Sequence, residues 1–340
     1  MDLFVYDQYG KLCGAAEPVS SLRWRRKYFE PGEVELHIPA THENIALYLP
    51  ERILHMRGRK ESALIEGISI NGDDLTVSGR MLSCCFDWTV ISNIHQYNDT
   101  YENIIRNLVS IYFQYCAPLS YRLAESIGVG DIINTQISRK TLGAVVANLS
   151  KAGNIGNRLY FNPIEPEWVF EIYQGSQLTN IAFSDEYGNA VQRYTHDRKE
   201  YRNKIYIFGA GEGEAREKQV IDLSNGQKIR EAIVDARDIT KNDENTAVYN
   251  DLLIQRGKEK ASEMEETLSL ETDIDPNIQW KYREDYDLGD VVPVISRKWG
   301  IAMDKRITEI EEVYEMGVCK VTPVFGNPLP EKIKMEELNG

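Results

Sequence analysis

The stretch that decides the fold is Tyr282-Arg-Glu-Asp-Tyr-Asp-Leu-Gly-Asp290, running into Val291-Val292. It continues through Arg306-Ile-Thr-Glu-Ile-Glu-Glu-Val-Tyr314 and closes with Val321-Thr-Pro-Val-Phe-Gly-Asn-Pro328. Leu288-Gly289-Asp290 reads as a turn that launches a strand: Gly289 can take a positive φ, and the Asp290 carboxylate can bond the backbone around it. Two β-rich runs follow, split by Met316-Gly317, which predicts a hairpin. Gly326 closes the last run as a further structural turn.

Working outward, residues 3–92 also read as mostly β. Val34, Leu36 and Ile38 point one way while Glu33, Glu35 and His37 point the other. Before the Glu30-Pro31-Gly32 turn, Trp24, Arg26 and Tyr28 alternate with Arg23, Arg25 and Lys27. An even-sum register across that turn, such as Arg25–Glu35 with Lys27–Glu33, sets opposite charges face to face and resists a one-residue slip. A second hairpin is expected from Leu64, Ile68 and Ile70, through Asn71-Gly72-Asp73-Asp74, to Leu75, Val77 and Met81.

The period changes at Asp99, which has capping-box spacing to Glu102 and is the expected N-cap. Ile104, Leu108, Ile111, Tyr112 and Tyr115 recur at helical spacing. A shorter helix carries Leu142, Val145, Val146 and Leu149 and ends near Gly153. Strands return at Val169–Tyr173, Ile181–Phe183 and Lys204–Phe208. A long helix is expected from about Asp243 to Glu266, with Val248, Leu252, Ala261 and Met264 as its buried stripe. Asp275-Pro276 stops any continuation, and the closing β segment begins near Gln279. This order predicts an α+β chain.

Composition narrows the functions. The 340 residues exceed what one hydrophobic core usually serves, so two or three domains are expected. A formal net charge of −14 argues against gripping phosphate backbones or an anionic membrane surface. No basic-then-apolar leader and no bilayer-length apolar stretch is visible. Cys13, Cys84, Cys85, Cys116 and Cys319 form no disulfide framework or zinc knuckle by spacing, and reduced, mostly buried thiols are expected.

Catalytic chemistry finds little support. Gly209-Ala-Gly-Glu-Gly213 follows a strand like a phosphate loop, but Glu212, Glu214 and Glu217 would repel phosphate and Val220–Leu223 reads as a strand, so a β-turn is the better reading. His37, His42, His55, His95 and His196 lack metalloprotease spacing. No nucleophile elbow or cysteine context is present. With 53 acidic residues, a glycosidase-like pair can arise by chance. Arg256-Gly-Lys-Glu-Lys260 reads as a solvated helix face. No catalytic, metal or cofactor residue is assigned, and no cofactor is expected. Gly32, Gly72, Gly289, Asp290 and Gly326 are singled out as structural turns.

The closing segment resembles that of siphophage tail-hub and baseplate-hub proteins, where "lGD-x-V" precedes "I-T-E-I-x-E" and "v-x-P-x-F-G". Those proteins similarly carry "G-x-G-E-G-x-x-R" and then "E-x-x-V-D-A-R-D", matched here by Gly209–Arg216 and by Glu231 with Val234-Asp-Ala-Arg-Asp238. The resemblance runs from the Trp24/Gly32 hairpin to Pro328. It implies two β-barrel-like tube domains with a helix-containing α/β insertion: 1–95 as an N-terminal tube domain, 96–200 as an α+β peripheral domain, 201–330 as a second tube domain carrying the 243–266 helix, and 331–340 as a tail. It further implies a homotrimeric ring at the virion tail tip, assembled in the host cytoplasm, between the distal tail-tube ring and a fibre or spike. DNA would pass through without specific binding, and the chain would not insert into a membrane. Many relatives add a C-terminal peptidase or lysozyme domain; a chain ending at Gly340 is expected to lack it and to be no enzyme. The competing readings are a cell-wall glycan or peptide hydrolase, which needs a polar cleft, and a carbohydrate-binding β module, which needs an aromatic platform from Trp168, Trp280 or Trp299.

Overall fold

A computed structural model describes residues 2–15, 20–184, 191–241, 246–272, 280–315 and 317–326. Asp243 at the long helix start, Asp275-Pro276, Gln279, Met316, Asn327-Pro328 and the 331–340 tail lie outside the described residues. The chain is an α+β protein, β-rich with a few helices.

The two β-rich ends of the chain join in one 13-stranded sheet. The strand Ser21–Lys27 pairs with Glu33–Pro39 on one side and with the long strand Ile301–Glu315 on the other, antiparallel in both cases. Beyond Glu33–Pro39 come Asp74–Met81, Ser62–Asn71, Ile53–Met56, Leu3–Tyr6 and Leu12–Ala15; beyond Ile301–Glu315 come Val318–Gly326, Thr267–Thr272 and Val191–Asp197. Val291–Ser296 branches from Ile301–Glu315, launched by Gly289 as the turn reading predicts.

The inward and outward phases fall as the alternation requires. Trp24, Val34, Leu36, Ile38 and Tyr28 are buried. The register differs from the expected pairs by one step of two residues: Arg23 faces Glu35 and Arg25 faces Glu33. Its even parity is kept, so every side chain stays on its expected face, and Lys27 still reaches Glu33 diagonally at 3.1 Å. Asn71 closes against Asp74 with Gly72 at φ 60°, the short hairpin that Asn-Gly signals. Ile70 lies exposed at its tip.

Helix starts and stripes follow the sequence with local corrections. Tyr101–Tyr112 is capped by Thr100, whose hydroxyl accepts from the Asn103 amide, and not by Asp99. Asp99 instead accepts from the Thr100 amide and the Asn103 side chain. Glu102 abandons the capping box: it is buried and accepts from the Ile127 and Val129 amides, tying down a loop that sequence spacing cannot see. The helix gives way to a 3-10 turn at Phe113–Tyr115, which leaves Tyr115 exposed. Leu142–Ala152 buries its expected stripe and ends at Gly153.

The helix Thr246–Glu263 packs against the separate three-stranded sheet of Lys204–Phe208, Lys218–Asp222 and Glu231–Asp235. Val248 is exposed, and Tyr249 and Leu253 join Leu252 and Ala261 inside. Arg256-Gly-Lys-Glu-Lys260 is a solvated face only in part, with Lys258 exposed but its first two residues buried. Arg256 is buried and bonds both Asp238 oxygens at 3.0 Å, and Gly257 lies too close to Ile207 and Ile221 for a side chain.

Beneath the sheet junction lies a buried ionic network. Arg26, 2% exposed, projects into the interior between Trp24 and Tyr28. It donates to Glu61 at 2.6 Å, to the Tyr282 hydroxyl at 2.5 Å and to Asp287. Glu61 also meets Arg158 and Arg283, while Glu312, 1% exposed, meets Arg283, Arg59 and the Tyr282 hydroxyl. Five separate segments thus share one set of charges. Burial would raise the Glu61 carboxyl, but Arg26 and Arg158 outweigh it and hold it at about 2 against an ordinary 4.5.

Removing one partner leaves the others buried and uncompensated, so Arg26→Met should destabilise the fold by about 3–5 kcal/mol in denaturant unfolding. A loss below about 1 kcal/mol, the level of an exposed pair, would remove the network from the account. Because the folded carboxyl titrates below its unfolded value, the Glu61 contribution is complete above pH 4.5 and drains as pH falls toward about 2. Glu61→Gln should flatten that part of the acid unfolding profile.

Candidate functional site

The turn residues divide by what surrounds them. Gly289 sits at φ 98°, and a Cβ there would strike the buried Tyr28 ring. Its amide donates to the Ile307 carbonyl at 2.9 Å, and its carbonyl accepts from Arg306. Gly175 crosses directly over this backbone with no room for a side chain of its own. Asp290 accepts from the Ser176 and Asp287 amides, both at 2.8 Å. Gly326, at φ 84°, is pressed against the Leu268 carbonyl. Gly32 abuts the Arg25 carbonyl, so its role is close approach without a positive φ. Gly72 meets nothing within 4 Å. These positions do not converge on one reactive centre; Gly289, Asp290 and Gly175 alone form a shared knot.

The water-facing side of the central sheet carries charge in rows. Glu311, Arg25, Glu33 and Arg80 stand opposite one another across four strands, alternating in sign. The next row sets Val313, Arg23, Glu35 and Ser78 side by side, and Glu309 stands opposite Lys27. Arg23 meets Glu311 at 2.8 Å, Lys27 meets Glu33 and Glu30, and Arg80 meets Glu66 and Asp87. Asp74 and Glu315 add negative charge at the margins, so the cations are neutralised and carboxylates remain in surplus. Burial pushes the Glu309 carboxyl up to about 7, against the opposing pull of Lys27 and Arg25.

A hydrolase would want such a raised acid in a cleft. Glu309 instead stands opposite Lys27 on the sheet and lines none of the described clefts. A cleft of about 500 Å³ contains Glu265, Glu266 and Asp304, but the hydrogen bond from His196 and the nearby Arg198 hold the Glu266 carboxyl down. Among the described residues no group of His, Cys, Asp and Glu is arranged to hold a metal.

The Gly209–Gly213 loop is a turn, as its acidic flank suggests. Arg216 donates to the Phe208 and Gly209 carbonyls, and the Gly209 amide donates to Glu217. Of the three tryptophans expected of a carbohydrate platform, Trp168 is buried and Trp280 donates its indole to the Ala182 carbonyl, while Trp299 is exposed beside Tyr194.

Sequence reasoning missed the Arg26–Glu61–Glu312 network as a unit. Its signal was present in part, since Arg26 and Glu312 both occupy the inward phase of their strands. Gly289 and Gly72 offer a contrast that tests the turn knot. Gly289→Val should cost more than about 1 kcal/mol in thermal melts, since a β-branched residue is strained at this φ and collides with Tyr28. Gly72→Asn, open on all sides and in a conformation asparagine tolerates, should stay within about 0.5 kcal/mol of the parent. Equal melts for the two variants would refute the knot.

Three solved structures share this architecture across nearly the whole chain. The 43 kDa tail protein of prophage MuSo2 from Shewanella oneidensis has a TM-score of 0.59 at 14% identity, covering 96% of this chain and 99% of its own. The prophage tail protein gp18 from Listeria monocytogenes EGD-e gives 0.58 at 13% identity, covering 97% and 96%. The tail protein from Neisseria meningitidis MC58 gives 0.60 at 13% identity, covering 96% and 97%. At such identities the likeness establishes the fold. No curated protein matches in sequence. Residues 2–327 match the family described as Siphovirus ReqiPepy6 Gp37-like protein. The siphophage resemblance carried by Gly209–Asp238 and Tyr282–Pro328 therefore holds, and the chain belongs to the Siphovirus ReqiPepy6 Gp37-like family.

Proposed function

We propose that this chain is a structural protein of a phage or phage-derived tail, and that it serves as the hub at the tail tip. Three copies would close a ring between the tail tube and the fibre or spike, with the two β regions of each chain acting as tube domains. The observation that carries the reading is the continuous sheet uniting both ends of the chain. One of its faces covers the hydrophobic cores; the other exposes paired cations among surplus carboxylates.

That face suits a wall for passing DNA. Free Lys and Arg would bind phosphates by releasing condensed counterions, and each contact would slow the strand. Here Arg23, Arg25, Lys27 and Arg80 are already engaged with carboxylates, so the wall offers phosphate little. A ring fits because a heterologous interface repeated about a threefold axis leaves no open end. The particle would assemble in the host cytoplasm, and the chain itself would be non-enzymatic.

A structure of the assembled tail tip should place the Glu311–Arg25–Glu33–Arg80 row on the channel wall, with each subunit interface burying more than about 1,000 Å². The reading falls if this face points outward, if the channel is basic, or if the chain lies off the tail axis. Zymography of the purified chain on host cell walls should show no clearing. Clearing abolished by Glu266→Gln would make it a hydrolase instead.

A further inference from the structure

We propose that a proton fastens the hairpin of Ser21–Lys27 and Glu33–Pro39 to the strand on each of its flanks. The central sheet is then tightest in mildly acidic solution and loosens as pH rises. The inference does not rest on the hub reading. The hairpin lies between Ile301–Glu315 and Asp74–Met81. Each seam carries one titratable side chain in surroundings that favour its protonated form: Glu309 against Lys27 on one side, His37 against Asp74 on the other.

His37 stands between two carboxylates. Its Nδ1 lies 2.9 Å from an Asp74 oxygen, and its Nε2 lies 3.5 Å from a Glu35 oxygen. A neutral imidazole has one N–H and one lone pair, so it can donate to one carboxylate only and turns a lone pair on the other. The imidazolium donates to both. Its register partners, Thr76 and Ser21, bring no charge, and Arg23, two residues along from Ser21, is bound to Glu311 at 2.8 Å. The hydrogen bond to Asp74 accordingly holds the imidazole above its ordinary 6.5, with burial opposing.

Glu309 faces a cation that other carboxylates already hold. Lys27 stands opposite it, but the Lys27 ammonium lies 3.1 Å from Glu33 and 3.4 Å from Glu30, and the Glu309 carboxyl receives no hydrogen bond from a described residue. Arg25 reaches Glu33 and Glu311 instead. On the other side Val324 faces Glu309 without charge, and beyond it stands Glu271, which Arg193 engages. Burial in this setting raises the carboxyl from 4.5 to about 7, against Lys27 and Arg25. An ionised Glu309 is a partly desolvated charge without a donor, and a proton removes that penalty.

Both groups bind a proton more tightly in the folded chain than in the unfolded one. Their stabilisation is complete below the unfolded values, 6.5 for His37 and 4.5 for Glu309, and is lost as pH rises through the folded ones. The two seams thus respond with one sign, opposite to that of Glu61. The His37 side chain is 34% exposed, so solvent screens its contribution and Glu309 carries the larger part.

Denaturant unfolding of the full chain at about pH 5.5 and about pH 8.5 reads the response. Glu309→Gln, which imitates the protonated carboxyl, should shrink the parent's change in unfolding constant between the two conditions by about tenfold, and His37→Gln by about twofold. At about pH 8.5 hydrogen exchange should slow in the hairpin of Glu309→Gln by a larger factor than in the helix Leu142–Ala152. Carbon NMR of the glutamate-labelled parent should show one carboxyl with a midpoint near 7, absent from Glu309→Gln. A parent in which no glutamate titrates above about pH 6 would overturn the proposal, whether or not the variants fold. So would variants that keep the parent's pH response, or exchange that slows no more in the hairpin than in the helix.

Discussion

The antiparallel pairing of Ser21–Lys27 with Ile301–Glu315 is the constraint on which the rest of the structure depends. It brings the two ends of the chain together and makes one sheet of what the order of elements suggests are two β regions. Its register decides two environments at once. Trp24 stands opposite Glu312 and Arg26 opposite Ile310 on the inner face, with Arg25 opposite Glu311 on the outer. A slip of one residue would drive Arg25 and Glu311 into the apolar cores and turn Trp24 out to water.

The inner charges would be costly without their company. A guanidinium as deeply buried as Arg26 survives because Glu61, Asp287 and the Tyr282 hydroxyl surround it, each delivered by a different stretch of chain. The 282–290 segment is thereby bound twice, by Arg26 and Glu312 at one end and by the Gly289–Gly175 crossing at the other. Desolvated charges tolerate only narrow geometries, so the network constrains how the segments it joins lie against one another.

The two faces of the sheet divide the labour. Inward residues supply the cores that hold the fold, and outward residues form a charge lattice whose cations are spent on neighbouring carboxylates. Each exposed pair contributes little stability by itself. Its consequence is surface chemistry: the face stays hydrated without offering free cations to a polyanion. Glu309 is the exception on this face: burial pushes its carboxyl up to about 7 in spite of Lys27 and Arg25 beside it.

Local, periodic information was legible in the sequence alone. The alternation through Trp24–Tyr28 and Val34–Ile38, the Asn71-Gly72 hairpin, the Leu142–Ala152 helix and the Gly289-Asp290 turn all follow from side-chain periodicity and backbone sterics within a few residues. The tertiary structure decided what depends on distant partners. It set the exact step of the first hairpin, made Arg256 a buried partner of Asp238, and sent Glu102 to a loop instead of a cap. It also buried Trp168 while leaving Trp88 at the surface. Charge and aromaticity are properties of a residue, but whether they face water, a counter-ion or a core is a property of what the fold places opposite. Periodicity along the chain carries the first kind of information, and contacts between remote segments carry the second.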